Sequence, residues 1–474
     1  MQPIDASPNV RGRYPATPYV KRRKPGLWRT LDLPERLLFL TLAAYLILNN
    51  GFSMLVIPPG IPVGEAVMVL CLLWFVLIKK RTFSTWMHAS VLSLIVLIWV
   101  YATAGVAFAF DIWGAFAFRS VTHAAELGFL LLGMSIGVVA QKRQAWFRFF
   151  NLVLIAGCVY ALLYPLRETL VVLSPTVTAL AGYATPVFFQ FITAGLLVLT
   201  FAMRFLLQPV TSWRVNEIIL LLGALAVVFV MIQSRVNYGI LSLLLLMVAV
   251  FVPRNLKYAA ATVGALALLL LLFFVSGIEF EGRIGTISGF DFIERHFRAS
   301  FGITDSADME GAASGVFQRF EWWQDIWHRL TADDSTFLLG LGQGVPLTWF
   351  YVGEEVIVRE PHNSAMTTIG RYGLVGTSLF VVLYVLMFKR LLQNVRLSRN
   401  TEAYAEYVTL FFFILSVLTI GMVEDALEKP YYAIPYYFVW GIAITRPGGE
   451  YVNRSMQMVR HSLVSGEYAG RRAE

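Results

Sequence analysis

The chain has 474 residues, of which 57% are hydrophobic and only 14% charged, and its mean hydropathy is +0.66. A soluble domain carries about 25% charged and about 45–50% apolar residues, so this composition excludes a water-soluble globular protein and requires lipid as part of the solvent. The net charge of +8 invites a nucleic-acid partner, but the basic residues precede the first apolar run or fall in alternate loops, the footprint of cytoplasmic connections, and no nucleic acid is expected.

Residues 1–35 read as a basic cytoplasmic segment carrying Arg11, Arg13, Lys21, Arg22, Arg23, Lys24 and Arg29. The segment lacks the short apolar core of a cleavable signal peptide, so targeting is expected from the first spans themselves. Over 36–276, apolar runs at 36–57, 64–78, 87–107, 121–140, 147–165, 186–207, 215–233, 238–252 and 257–276 predict a first bundle of about nine transmembrane helices. Backbone polar groups find no partner in hydrocarbon, so each run must close its own hydrogen bonds as a helix. A barrel would need alternating strands of about 10 residues, and these runs are longer and unbroken. The weakly apolar stretch 166–182 is expected to lie at the interface or to re-enter. Cys71 and Cys158 sit inside apolar runs and read as small buried thiols.

Residues 277–361 form a long acidic connection, with Glu279, Glu281, Asp291, Glu294, Asp305, Asp308, Glu310, Asp333 and Asp334. A structureless loop of that length is unusual, so part of it should fold. Its stretch 317–330, FQRFEWWQDIWHRL, predicts a short helix with Phe317, Phe320, Gln324 and Trp327 on one face. Arg319, Trp323, Ile326 and Leu330 share the neighbouring stripe. Residues 362–445 predict about three more helices, at 365–388, 406–423 and 431–445, and 446–474 a cytoplasmic tail. Lys79, Lys80 and Arg81, then Lys142, Arg143 and Arg148, Arg214, Arg254 and Lys257, and finally Lys389, Arg390, Arg396 and Arg399 place alternate loops with both termini in the cytoplasm. The expected fold class is therefore an all-α polytopic membrane protein of about 12 transmembrane helices with a large, partly helical periplasmic loop.

This topology sends three basic positions to one outer face. Arg235 ends the seventh span in IQSRVNYG, Arg319 lies in the loop helix, and His362 precedes the tenth span in REPHNSAMTTIGRYGLVG. Two guanidinium forks suit a diphosphate and the charge that develops on it as a leaving group. They equally suit lipid headgroups or loop carboxylates. An imidazole can accept a proton near neutral pH, although a lone histidine is more often structural. Asn363 or Ser364 can cap the following helix. Glu424 and Asp425, at the outer end of the eleventh span, are placed to orient an acceptor or an arginine, or simply to shape a loop. GLGQG at 340–344 lacks the spacing and lysine of a P-loop and reads as a tight loop on a cavity wall. Adjacent Asp333 and Asp334 read as solvated, and no metal or cofactor is expected.

In combination, QSR with Arg235, QRFEWW with Arg319, GLGQG, and PHNSAMTTIGRYGLVG with His362, in that order around a large periplasmic loop, resemble the O-antigen ligase and Wzy-type polymerase superfamily. The resemblance covers roughly 215–385 most strongly, and Val236 stands where many relatives have glycine. It implies a GT-C-like glycosyltransferase of the bacterial inner membrane, its active site facing the periplasm, in O-antigen (lipopolysaccharide) or exopolysaccharide biosynthesis. The donor it implies is a glycan on undecaprenyl diphosphate; the acceptor is lipid A–core for a ligase or a second lipid-linked glycan for a polymerase. Membrane lipids and polysaccharide-assembly proteins are the further partners. Arg235 and Arg319 match diphosphate-binding arginines and His362 the base or acceptor-orienting residue, with Asn363 and Glu424 as further substrate contacts. The chemistry implied needs neither metal nor nucleotide. A transporter or flippase for lipid-linked polysaccharide, without transfer chemistry, is the alternative that multiple spans and a basic cavity leave open.

Overall fold

The computed structural model describes residues 26–57, 61–79, 89–178, 184–208, 213–234, 236–252, 307–348, 350–352, 355–399, 401 and 403–445, with scattered positions over 260–298. Arg235, the span at 257–276 for the most part, and both chain ends lie outside the described residues. The described chain is helical, interrupted by four small antiparallel hairpins. Five helices are long and apolar enough to cross a membrane: Leu33–Ser53 (α1), Ala89–Trp113, Ala140–Ala161, Ser364–Ser398 and Ala403–Gly421. Shorter apolar helices include Val63–Ile78, Ala194–Leu207 and Val236–Phe251. This is a helical membrane protein, and among the described residues there is no barrel.

Local signals set the helix ends. Asp32 and Glu35 form a reciprocal capping box at the start of α1, with Pro34 in the first turn, where its missing N–H costs nothing. Outward-facing residues such as Val100, Phe108 and Ile112 are apolar and exposed, as lipid contact demands. The bundle is organised around the last helix, Pro430–Ile444, nearly all of which is buried. It crosses Leu127–Gly137 almost backbone to backbone. A Cβ on Gly133 would stand 2.1 Å from the Phe438 carbonyl oxygen, and one on Gly441 would stand 2.2 Å from that of Leu130. Small residues permit this approach, and close packing replaces the hydrophobic drive that lipid removes. Gly441→Leu should therefore destabilise the protein by about 1–3 kcal/mol, read as a lower melting temperature of detergent-solubilised protein. Gly223→Leu, whose Cβ meets nothing within 4 Å, should leave it unchanged.

The two ends of the bundle are distinct. At one, Lys142 pairs with Glu35 and Asp32, and Lys79 lies 2.9 Å from Asp32. At that end Gly137 packs on Thr445, whose backbone oxygen accepts from Asn394 and Tyr407. At the other end Asn49 interrupts α1 with φ +53 so that its side-chain oxygen accepts from Thr193 N at 2.9 Å. The Tyr432 hydroxyl donates to the Ile192 carbonyl there, and the 422–429 turn meets the start of Ser364–Ser398. Leu33–Ser53 and Ala140–Ala161 both start at the Lys142 end, whereas Ser364–Ser398 starts at the other.

In the described part of 166–182, Arg167–Val172 is a short helix and Thr176–Thr178 pairs with Ala184–Pro186. The run 121–140 is also not one helix but Thr122–Ala125, Leu127–Gly137 and the start of the next. The loop helix is longer than its aromatic core, covering Ala307–Thr331.

Candidate functional site

The loop helix Ala307–Thr331 is fastened to the bundle at the end opposite Lys79 and Lys142. Its Ile326 and Leu330 are buried against Leu347, and Trp323 Nε1 donates to the Pro361 carbonyl at 2.9 Å. Behind it the GLGQG loop turns on Gly340, Gly342 and Gly344, at φ +89, +97 and +81. Gly340 lies against the Arg371 backbone, where a Cβ would stand 2.4 Å from its oxygen, so glycine is needed for both space and conformation. Asp333 caps the short helix Asp334–Leu339, accepting from Ser335 N and Thr336 N, which explains that acid without a metal.

Arg319, His362 and Glu424 come together. Arg319 Nη1 donates to the Val423 carbonyl at 2.8 Å, and Nη2 lies 3.5 Å from Glu424 Oε1. His362 Nδ1 lies 3.4 Å from Glu424 Oε2 and 3.1 Å from Asp425 Oδ2. Lys429 Nζ stands 3.0 Å from Glu424 Oε2. One carboxylate is thus ringed by three cationic side chains from three separate parts of the chain. His362 is held in the left-handed region, φ +51, and its ring is 6.1 Å from that of Trp322. Such a conformation in a non-glycine residue costs of order 1–3 kcal/mol and persists where surroundings over-determine it.

Asn363 positions this cluster from behind. Its side-chain oxygen accepts from Ala365 N and Met366 N, capping Ser364–Ser398, and its Nδ2 donates to the Met422 carbonyl at 2.9 Å. The residue is 4% exposed, and both ends of its amide are engaged in capping the helix and bracing the turn. Asn363→Ala should cost about 1 kcal/mol of stability and loosen the 422–429 turn, measurable as faster amide hydrogen exchange there.

Electrostatics decide what His362 can do. Burial pushes its pKa down, but hydrogen bonds and charge from Asp425 and Glu424 outweigh this and lift it to about 9. The two carboxylates thus favour the protonated ring, which is a donor and a cation. Burial pushes Glu424 up, yet His362 and Lys429 hold it well below the usual carboxylate range. Below the cluster Glu428 accepts from Ser364 Oγ at 2.6 Å; burial and the negative charge of Asp425 push it up to about 8.

A cavity of about 330 Å³ adjoins the cluster, with Glu424 and Lys429 in its wall beside Tyr164, Gln190, Phe191 and Tyr431. Ser234 and Val236 also line it, while Arg235 between them lies outside the described residues. Sequence reasoning missed Lys429. The signal was present in EDALEKP, a cluster of charge between two apolar runs, where a short turn has little room to separate opposite signs. Among the described residues no group of three or more His, Cys, Asp or Glu could hold a metal. No protein-family model matches the chain, and no curated protein matches it.

Proposed function

We propose that this protein is a glycosyltransferase of the bacterial inner membrane that moves a glycan from a polyprenyl-diphosphate carrier to an acceptor hydroxyl at the periplasmic face. The supporting observation is the ring of Arg319, His362 and Lys429 around Glu424, beside a cavity at the end of the bundle away from Lys79 and Lys142. Basic residues mark the cytoplasmic end of a membrane protein, so the cluster faces the periplasm. About 12 spans in a GT-C-like arrangement accommodate this orientation.

In this reading Arg319 and Arg235 hold the diphosphate, with Lys429 adding charge. A diphosphate competes with Glu424 for the same cations, since charge-assisted bonds to phosphate and carboxylate are alike in geometry. The acceptor oxygen attacks the anomeric carbon, the carbon–oxygen bond to phosphate breaks, and its electron pair leaves on the carrier diphosphate. The arginines stabilise that charge. His362, already protonated, orients the acceptor as a donor and cation, and Asp425, whose Oδ1 has no hydrogen-bond partner among the described residues, takes the acceptor's proton. Holding both substrates at one rim removes much of the entropic cost of their encounter. Lipid A–core as acceptor makes the enzyme an O-antigen ligase; a second lipid-linked glycan makes it a polymerase.

The test is reconstitution in nanodiscs with a polyprenyl-diphosphate-linked glycan and each acceptor class. Glycosylated acceptor and released carrier diphosphate are the expected products. Movement of intact donor across liposomes with no product would replace transfer by transport.

A further inference from the structure

The cavity beside Glu424 has a mixed lining of aromatic, aliphatic, amide, hydroxyl and charged side chains. A polyprenyl tail needs an apolar wall, and this one holds Gln190, Ser234, Glu424 and Lys429. Arg167 and Lys429 bring two cations to it, and Tyr164, Phe191, Tyr431 and Tyr432 bring aromatic rings. Apolar faces interleaved with amide, hydroxyl and charged groups match a pyranose, which has C–H faces and a rim of hydroxyls. The volume, about 330 Å³, is at the small end for ligand cavities and admits about one or two sugar rings rather than a polymer.

The wall is built deliberately. Phe189 and Phe191 both adopt left-handed backbone, φ +65 and +59, which bulky residues rarely do. Phe189 N donates to the Tyr160 hydroxyl, the Tyr160 ring stacks on Phe191 at 4.6 Å, and Tyr164 meets Phe191 edge-on at 5.6 Å. Gln190 is fixed between the two strained residues by donating Nε2 to the Pro186 carbonyl. The cavity and the Arg319–His362 cluster share Glu424 as a common wall, so a ring seated in the cavity lies next to the cations.

We infer that this cavity is a sugar-ring subsite, with Tyr164 as a stacking face and Gln190 and Glu424 as hydroxyl partners. The inference rests on the transferase reading for the source of the sugar, but binding and turnover test it separately. The probe is the oligosaccharide released by mild acid from the lipid-linked glycans of cells that express the protein, which carries no diphosphate. Saturation-transfer NMR with full-length protein in nanodiscs should show transfer to its ring protons. Tyr164→Ala should lose that signal and raise KM in the transfer assay about tenfold, while Tyr164→Phe, which keeps the face, stays within about twofold of wild type. Arg319→Ala should retain sugar binding while losing turnover. Absence of binding to wild type, equal binding by wild type and Tyr164→Ala, or equal loss from Arg319→Ala would overturn the subsite. Sugar binding without turnover in wild type would keep the subsite and remove the transferase; turnover indifferent to Tyr164 would do the reverse.

Discussion

Arg319→Ala should lower transfer by about 100-fold or more, a loss of about 2.7 kcal/mol in transition-state stabilisation, the scale seen when one preorganised donor is removed from developing negative charge. The side chain is positioned by its bond to the Val423 carbonyl, at 2.8 Å, and touches Glu424 from the loop-helix side. Its helix remains anchored through Trp323 to Pro361 and through Ile326 and Leu330 to Leu347, so membrane abundance and melting temperature should change little. Arg319→Lys keeps the charge but loses the planar fork, and should recover about a tenth of the activity. The decisive measurement is single-turnover transfer by equal amounts of inserted protein. If the alanine variant turns over at the wild-type rate, Arg319 does not hold the leaving group.

The helices were legible because lipid imposes one rule, a closed backbone in every apolar run: the run 365–388 falls inside such a helix, and 406–423 overruns its helix, which ends at Gly421, by two residues. The departures have local causes. The run 121–140 breaks near Glu126, where Trp99 Nε1 donates to the Ala124 carbonyl at 2.7 Å and fixes a short turn. Its glycines at 133 and 137 are spent on the close crossing with the last helix, a tertiary demand that hydropathy does not carry. Pro175 precedes the hairpin and Pro186 ends its second strand, paired with Thr176, consistent with proline's poor fit in a helix interior. At the site, Arg319 and His362 could be chosen because a charge next to lipid is costly. Their meeting on Glu424 could not, since 105 residues separate Arg319 from that carboxylate and no local pattern encodes the contact. Asn363 illustrates the opposite limit: its cap was legible in sequence, and its bond to the Met422 carbonyl, 59 residues away, was not.

The pH profile tests His362 most directly. Its pKa in the folded protein, about 9, lies above the ordinary 6.5. The stability it contributes is therefore fully present below about pH 6.5 and is lost as pH rises through about 9. Glu424 behaves oppositely: its depressed pKa gives stability present above its ordinary 4.5 that is lost as pH falls. Melting temperature should accordingly hold between about pH 5 and 6.5 and fall progressively from there to about pH 9, and that fall should vanish in His362→Gln. Transfer should follow the same limb if the charged ring orients the acceptor, with kcat/KM flat to about pH 8 and falling above. A neutral imidazole acting as base would instead give a rate rising toward about pH 9. His362→Ala should cost about 100-fold at pH 7, and His362→Lys, which restores a cation beside Asp425, should recover part of that loss. A rising alkaline limb in wild type, absent from His362→Gln, would return the residue to the role of base and require that substrate binding first draw Glu424 or Asp425 away from Nδ1.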